Sequence, residues 1–340
     1  MLWDVFCKVI DNHGDVGVCW RLSAELARRG HEVRLRIDDA SALRWMAPRG
    51  HEGVGVLAWD DAAAPGDVAV EAFGCELPAS FQAALKVRTE ESGRQPAWIN
   101  LEYLSAERFA QQSHGLPSPV LAGPAAGLTK RFFYPGFTPG TGGLIREPDL
   151  LQRQAAFDRQ AWLRAQGIDA GDEPLVSIFC YEPAALGRLL RQLAGTNSHL
   201  LVTSGRAAQA VRSLVAASEQ PMTSWLPLLS QVEYDPLLWS CDLNFVRGED
   251  SLVRALWAGK PFVWQIYPQD DGAHRAKLDA FLDWFGAPAS LRDFHHAWNG
   301  FATHLPPVDI AGWQAAALAA RDRLLRQEDL TTQLIRFAAA

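Results

Sequence analysis

The feature that most limits the fold is an alternation sustained along 340 residues, in which short apolar runs are each followed by a segment with helical spacing of its apolar residues. Leu2 to Val9 reads as a buried strand. The polar loop IDNHGD then leads into a helical pattern carrying Val16, Trp20, Leu22 and Leu26, and Gly30 ends it. HEVRLRI is the next strand, and GDVAVEAF and AWINL continue the series. Strand, helix and strand in that order make a βαβ unit, the building block of a parallel sheet.

The pattern starts again further on. Residues 131–148, RFFYPGFTPGTGGLIREP, are dense in Pro, Gly and aromatics, suit neither helix nor strand, and predict a linker. Beyond it, helical AFDRQAWLRAQ precedes the strands PLVSIFCY, HLLVT, SWLPLL, LNFV and PFVWQI, with helical segments between them. From about Ile310, AGWQAAALAARDRLLRQEDL predicts one long amphipathic helix with no strand after it. The length fits two domains at ~150 residues each. The expected organisation is α/β, with one domain over 1–150, another over 151–309, and a terminal helix over 310–340 free to pack back on the first. Ligand sites in such domains lie at the C-terminal ends of strands, so the loops leaving strands carry the chemistry.

Composition excludes several classes. Lys and Arg total 32 against 39 Asp and Glu, a net charge of −7, and neither half is basic, so no stripe is present to neutralise a nucleic-acid backbone. Five cysteines stand singly without CxxC spacing, which argues against a disulfide framework or zinc knuckle. MLWDVFCKV is interrupted by Asp4 and Lys8 and lacks a small-residue cleavage site, so it is not read as a signal peptide. No apolar run reaches the ~18 residues a membrane span needs. A cytoplasmic location is expected. Thirteen tryptophans are unusual; Trp20, Trp257 and Trp264 flank the loops described next, where packing is their expected role.

Three of those loops hold candidate residues. IDNHGDVG at 10–17 carries Asp11 and Asp15 between a strand and a helix; the pair either caps the helix or offers two carboxylates as a base or a cation clamp. VRGEDSLVRALWAG at 246–259 combines Arg247, Gly248 and a helix start, which together resemble an anion site. Glu249, Asp250 and Ser251 open that helix. Acids there can simply complement the helix dipole. Beside a bound diphosphate the two would be unfavourable unless their side chains turn away, so Glu249 is a candidate partner for Arg247 or for a reacting group. IFCYEP at 178–183 puts Phe179 and Tyr181 on one strand face, either as core or as a base-stacking and phosphate-reaching pair, with Leu228 and Gln231 as possible neighbours of a base.

Other signals are absent or bland. The histidines form no HExxH or HxxxH spacing, and the pairs Asp38–Asp39 and Asp270–Asp271 read as solvated turns, so no metal is expected. His295 and His296 read as surface residues. GxSxG and Walker GxxxxGKS are missing, which removes serine-hydrolase and P-loop readings.

Four long motifs, CKVIDNHGDVGVCWRLSAELARRGHEVRL, INLEYLSAE, FFYPGFTPGTGGLIRE and CDLNFVRGEDSLVRALWAGKPFVWQIYPQ, carry a resemblance. Over essentially its whole length the chain resembles the EarP family of bacterial protein-arginine rhamnosyltransferases that modify elongation factor P. The resemblance implies a GT-B fold of two facing Rossmann-like domains with a cleft between them. It implies inverting transfer of L-rhamnose from dTDP-β-L-rhamnose to an arginine of elongation factor P, which activates that factor for ribosomes stalled at polyproline. The first domain would receive the protein acceptor and the second the donor. The family's catalytic carboxylates fall on Asp11 and Asp15, and its third essential acid on Glu249. Donor contacts fall on Tyr181, Arg247, Asp250 and Ser251, with Phe179 near the base and Gln231 holding it. Leu228 stands where the family often has Phe, making the packing of the base aliphatic. No cofactor beyond the donor is implied. The competing readings are a GT-B transferase with a different acceptor and a non-catalytic sugar-nucleotide-binding protein.

Overall fold

The computed structural model describes residues 1–9, 13–214, 221–268 and 272–340. It divides into two compact units, Met1–Glu147 joined by Gln327–Ala340, and Pro148–Arg326.

In the first unit the strands are β1 (Leu2–Cys7), β2 (Glu32–Ile37), β3 (Val54–Ala58), β4 (Val68–Ala72), β5 (Ala97–Leu101), β6 (Pro117–Pro119) and β7 (Thr129–Phe133). They form one sheet in the order β3-β2-β1-β4-β5-β7-β6, parallel except where β6 meets β7. Register sorts its two faces. Val5 lies opposite Leu35 and Val70, and Val70 opposite Ile99, so one face is apolar and packs against the helices Gly14–Arg28 and Leu330–Ala339. The other face carries charge. Asp4, fully buried, accepts from Arg34 at 2.7 Å and Arg36 at 2.8 Å, and the Arg36 guanidinium lies 5.0 Å from the Phe81 ring. Such a carboxylate is tolerable inside a sheet only because both its oxygens are paired.

Residues 131–148 differ from the expected linker. Their first residues end β7, and Phe133, Phe137, Leu144 and Ile145 are buried. A Cβ at Gly142 would collide with the Phe133 ring, so the glycine lets the backbone pass close over an aromatic in the folded unit. The single helix expected from Ile310 is also two. Ile310–Leu325 lies in the second unit, whereas Leu330–Ala339 returns to the first, where Leu330 and Leu334 join the apolar core. The break has a local cause: Asp329 accepts from the Thr332 backbone N–H and starts a new helix, just as Asp309 accepts from Gly312 at the start of the earlier one.

The second unit holds β8 (Leu175–Ile178), β9 (His199–Val202), β10 (Met222–Trp225), β11 (Leu243–Arg247) and β12 (Phe262–Gln265), all parallel, in the order β10-β9-β8-β11-β12. The edge strand β12 is closed by side chains. Nε2 of His295 accepts from the Trp264 backbone N–H at 3.0 Å, and Asn299 accepts from Ile266 N–H and donates to the Trp264 carbonyl, each at 2.9 Å. His295 is therefore a buried structural residue, not a surface one, and His296 is half-buried against Asp279 at 2.7 Å. The five cysteines are unpaired and buried. Trp20, Trp257 and Trp264 are all buried, as packing residues should be. Among the described residues no helix is long and apolar enough to cross a membrane.

Candidate active site

In the second unit the loops leaving β8, β11 and β12 meet at one sheet edge. Arg247 is the last residue of β11, and its guanidinium carbon lies 4.4 Å from the Phe179 ring centre and 4.5 Å from that of Tyr181. The IFCYEP reading expects both aromatics on one face of a strand, but β8 ends at Ile178 and both lie just beyond it, still on either side of Arg247. Its Nη1 also donates to the Cys180 carbonyl at 3.3 Å. Burial lowers the Arg247 pKa from its ordinary value, yet guanidinium stays protonated in proteins, so the edge of the sheet keeps one fixed positive charge. Two rings and a carbonyl hold it in place before any ligand arrives.

The next residue turns the chain into the helix Asp250–Ala258. Gly248 has φ +65, a left-handed conformation that disfavours a side chain, and a Cβ there would sit 3.5 Å from the Tyr181 hydroxyl. Ser251 ties the turn: its hydroxyl accepts from the Arg247 N–H at 3.0 Å and donates to the Arg247 carbonyl. The Trp264 indole donates to the Gly248 carbonyl at 2.8 Å, so this tryptophan supports the loop in addition to packing.

The two acids at the helix start are each directed to a cation. Glu249 pairs with Lys277 at 2.8 Å, not with Arg247, and it makes no side-chain cap. Asp250 accepts from Arg254 at 3.1 Å and from Gln231 at 3.3 Å. Arg254 in turn reaches the buried Asp235 at 2.8 Å. Because both carboxylates are matched this way, the positive helix start and Arg247 can face an anion without two bare acids beside it.

Around this centre lie residues that loop reading missed. Gln265, at the end of β12, accepts from the Tyr181 N–H at 2.8 Å; the Tyr267 ring meets Tyr181 edge-on at 5.8 Å, and Tyr234 meets Phe179 at 5.5 Å. Gln265 and Tyr267 leave a strand end, which was signal enough to find them. Lys277 sits inside the helix Ala273–Phe285, whose pattern gives no hint of a role. Leu228 is 54% exposed, an aliphatic side chain left uncovered near the start of the Gln231–Ser240 helix.

The first unit holds the other candidates. Asp11 lies outside the described residues. Asp15 is half-buried in the first turn of the Gly14–Arg28 helix; the N-cap position is His13, so capping is not its role. Its Oδ2 accepts from the Tyr103 hydroxyl at 3.2 Å, and Tyr103 follows β5 within the INLEYLSAE stretch. Asp15 thus stands in a different unit from Glu249 and the Arg247 cluster. Among the described residues no group of three or more His, Cys, Asp or Glu is placed to hold a metal ion.

The family model for EarP, the elongation factor P rhamnosyltransferase, matches residues 3–339. A protein-arginine rhamnosyltransferase of Pseudomonas putida is 41% identical, covering 98% of this chain and 98% of that protein, and one of Pseudomonas aeruginosa is 40% identical over 99% and 98%. A solved structure describing EarP-mediated arginine glycosylation of translation elongation factor EF-P is similar at a TM-score of 0.66, with 30% identity and coverage of 99% and 98%. The glycosyltransferase VinC, solved with dTDP, has a TM-score of 0.54 at 14% identity and covers 99% of each chain, a likeness of fold alone. The fold is of GT-B type, built from two Rossmann-like α/β units.

Proposed function

The chain belongs to the EarP family of elongation factor P rhamnosyltransferases, and from that premise we propose that it transfers L-rhamnose from dTDP-β-L-rhamnose to an arginine side chain of elongation factor P. The observation that carries the donor half is Arg247, fixed between Phe179 and Tyr181 beside a helix start whose acids are already paired. One guanidinium and one helix terminus suit one diphosphate. Gln231 and Ser251 belong to the same cluster, and the base packs toward aliphatic Leu228. The second unit is the donor half and the first unit the acceptor half, and a translation factor as acceptor puts the reaction in the cytoplasm.

The acceptor chemistry sets a specific demand. A guanidinium with pKa above ~12 is not deprotonated in its ground state by a carboxylate of pKa ~3.9. Asp11 and Asp15 hold and polarise it through charge-assisted hydrogen bonds, and Asp15 takes the proton only as the C–N bond forms. The C–O bond to the diphosphate breaks on the opposite face, its electron pair leaves with dTDP, and the β-linked donor gives an α-linked product. Charge on the leaving group is met by Arg247 and the helix start. Glu249, held by Lys277, orients the sugar or the incoming guanidinium. No metal or other cofactor takes part.

The test is release of dTDP from dTDP-β-L-rhamnose with and without elongation factor P. Release that requires the acceptor and disappears when its arginine is replaced by Gln supports the proposal. Donor binding without acceptor-dependent release would make the protein a sugar-nucleotide binder.

A further inference from the structure

We propose that Tyr103 is the positioning residue of Asp15, aiming its carboxylate through the phenolic hydroxyl while Phe73 fixes the ring from behind. The proposal rests on the reading of Asp15 as the base. Three observations meet here. The Tyr103 hydroxyl donates to Asp15 Oδ2 at 3.2 Å across 88 residues of sequence. The Tyr103 ring stacks on Phe73, with centroids 4.9 Å apart and planes inclined by 24°. Phe73 itself has φ +57, one of two non-glycine residues among those described with positive φ.

That backbone conformation is unfavourable for a residue with a Cβ and persists only where surroundings impose it. Here the Phe73 N–H donates to the Leu101 carbonyl at 2.7 Å, tying the residue after β4 to the last residue of β5, two positions before Tyr103. The tie and the stack together set where the Tyr103 ring stands. Burial does not compel its hydrogen bond, because Tyr103 is 40% exposed and water could satisfy the hydroxyl. The hydroxyl nevertheless points at the carboxylate. A carboxylate that takes its proton late in bond formation must have one oxygen directed at the attacking nitrogen, and a donor on the other oxygen fixes the plane of the group.

Tyr103→Phe keeps the ring and its stack and deletes only the hydroxyl. The expected result is a kcat about tenfold lower, with KM for both substrates within about twofold of wild type and an unchanged thermal midpoint. Phe73→Leu keeps the hydroxyl and loosens the ring, and should lower kcat by a smaller factor. Wild-type kcat in Tyr103→Phe would overturn the proposal, as would a loss confined to KM. Asp15→Asn in the same assay separates the two ideas. Near-normal turnover in that variant removes Asp15 as the base, whereas a dead Asp15→Asn beside a fully active Tyr103→Phe removes only the positioning role.

Discussion

Acid should loosen the edge of the second unit through one side chain. His295 is 1% exposed, its Nε2 accepts from the Trp264 backbone N–H, and its Nδ1 lies 2.9 Å from the Leu291 carbonyl. Those two bonds require the neutral ring with the proton on Nδ1, since a proton on Nε2 would face the Trp264 donor. Burial pushes the pKa down to about 4, against an ordinary histidine value of about 6.5. The sign follows directly. Between these values the unfolded chain binds the proton and the folded one does not, so stability is full above about pH 6.5 and falls as pH drops toward 4. Integrating the difference, the loss is about 2 kcal/mol at pH 5 and about 3 kcal/mol below pH 4. The ring resonance of His295, followed by NMR from pH 7.5 to 5, should stay that of neutral imidazole. His295→Gln, which retains an acceptor for Trp264, should flatten part of the decline of the thermal midpoint over the same range. A folded-state titration near pH 6.5, or identical pH slopes for wild type and variant, would refute the reasoning. The consequence reaches the site, because Trp264 also holds the Gly248 carbonyl and the neighbouring Gln265 holds Tyr181.

Other outcomes follow from the same geometry. Arg247→Ala should weaken dTDP-β-L-rhamnose binding by about 30-fold or more, the scale of a lost charge-assisted contact, and unchanged affinity in calorimetry would remove Arg247 from the diphosphate site. Arg254→Met leaves the buried Asp235 to the longer Arg153 contact at 3.4 Å and should cost about 2 kcal/mol, whereas Arg254→Met with Asp235→Asn should cost less; equal losses in denaturation would show that the pair is not coupled. Treatment with a chelator should leave turnover unchanged, and a loss restored by added divalent cation would overturn the metal-free mechanism.

Much of this was legible in the sequence because strand–helix alternation is local. β1, β2, β4, β5, β8, β9 and β12 each fall within an apolar run that reads as a strand, and Phe179, Tyr181 and Arg247 converge because strand ends face one edge of a parallel sheet. What failed to show depends on partners distant in sequence. The polar face of the first sheet is such a case: HEVRLRI reads as a strand, but nothing local shows that Arg34 and Arg36 are matched to Asp4 some thirty residues earlier. His295 reads as a surface residue for the same reason, since its task is to satisfy a backbone N–H on another element. The aromatic stretch at 131–148 looks like a linker by composition, whereas its glycines serve close contact with Phe133 and Thr141. Lys277 and Tyr103 carry no motif of their own; only the fold brings them to Glu249 and Asp15.

The central claim is tested most directly by weighing the acceptor. Elongation factor P is incubated with the protein and dTDP-β-L-rhamnose, and its intact mass and peptide fragments are measured. The account predicts a gain of one deoxyhexose, localised to one arginine, and no gain with Asp15→Asn. An unchanged acceptor mass in the presence of confirmed donor binding, or a sugar found on any residue other than arginine, would contradict it.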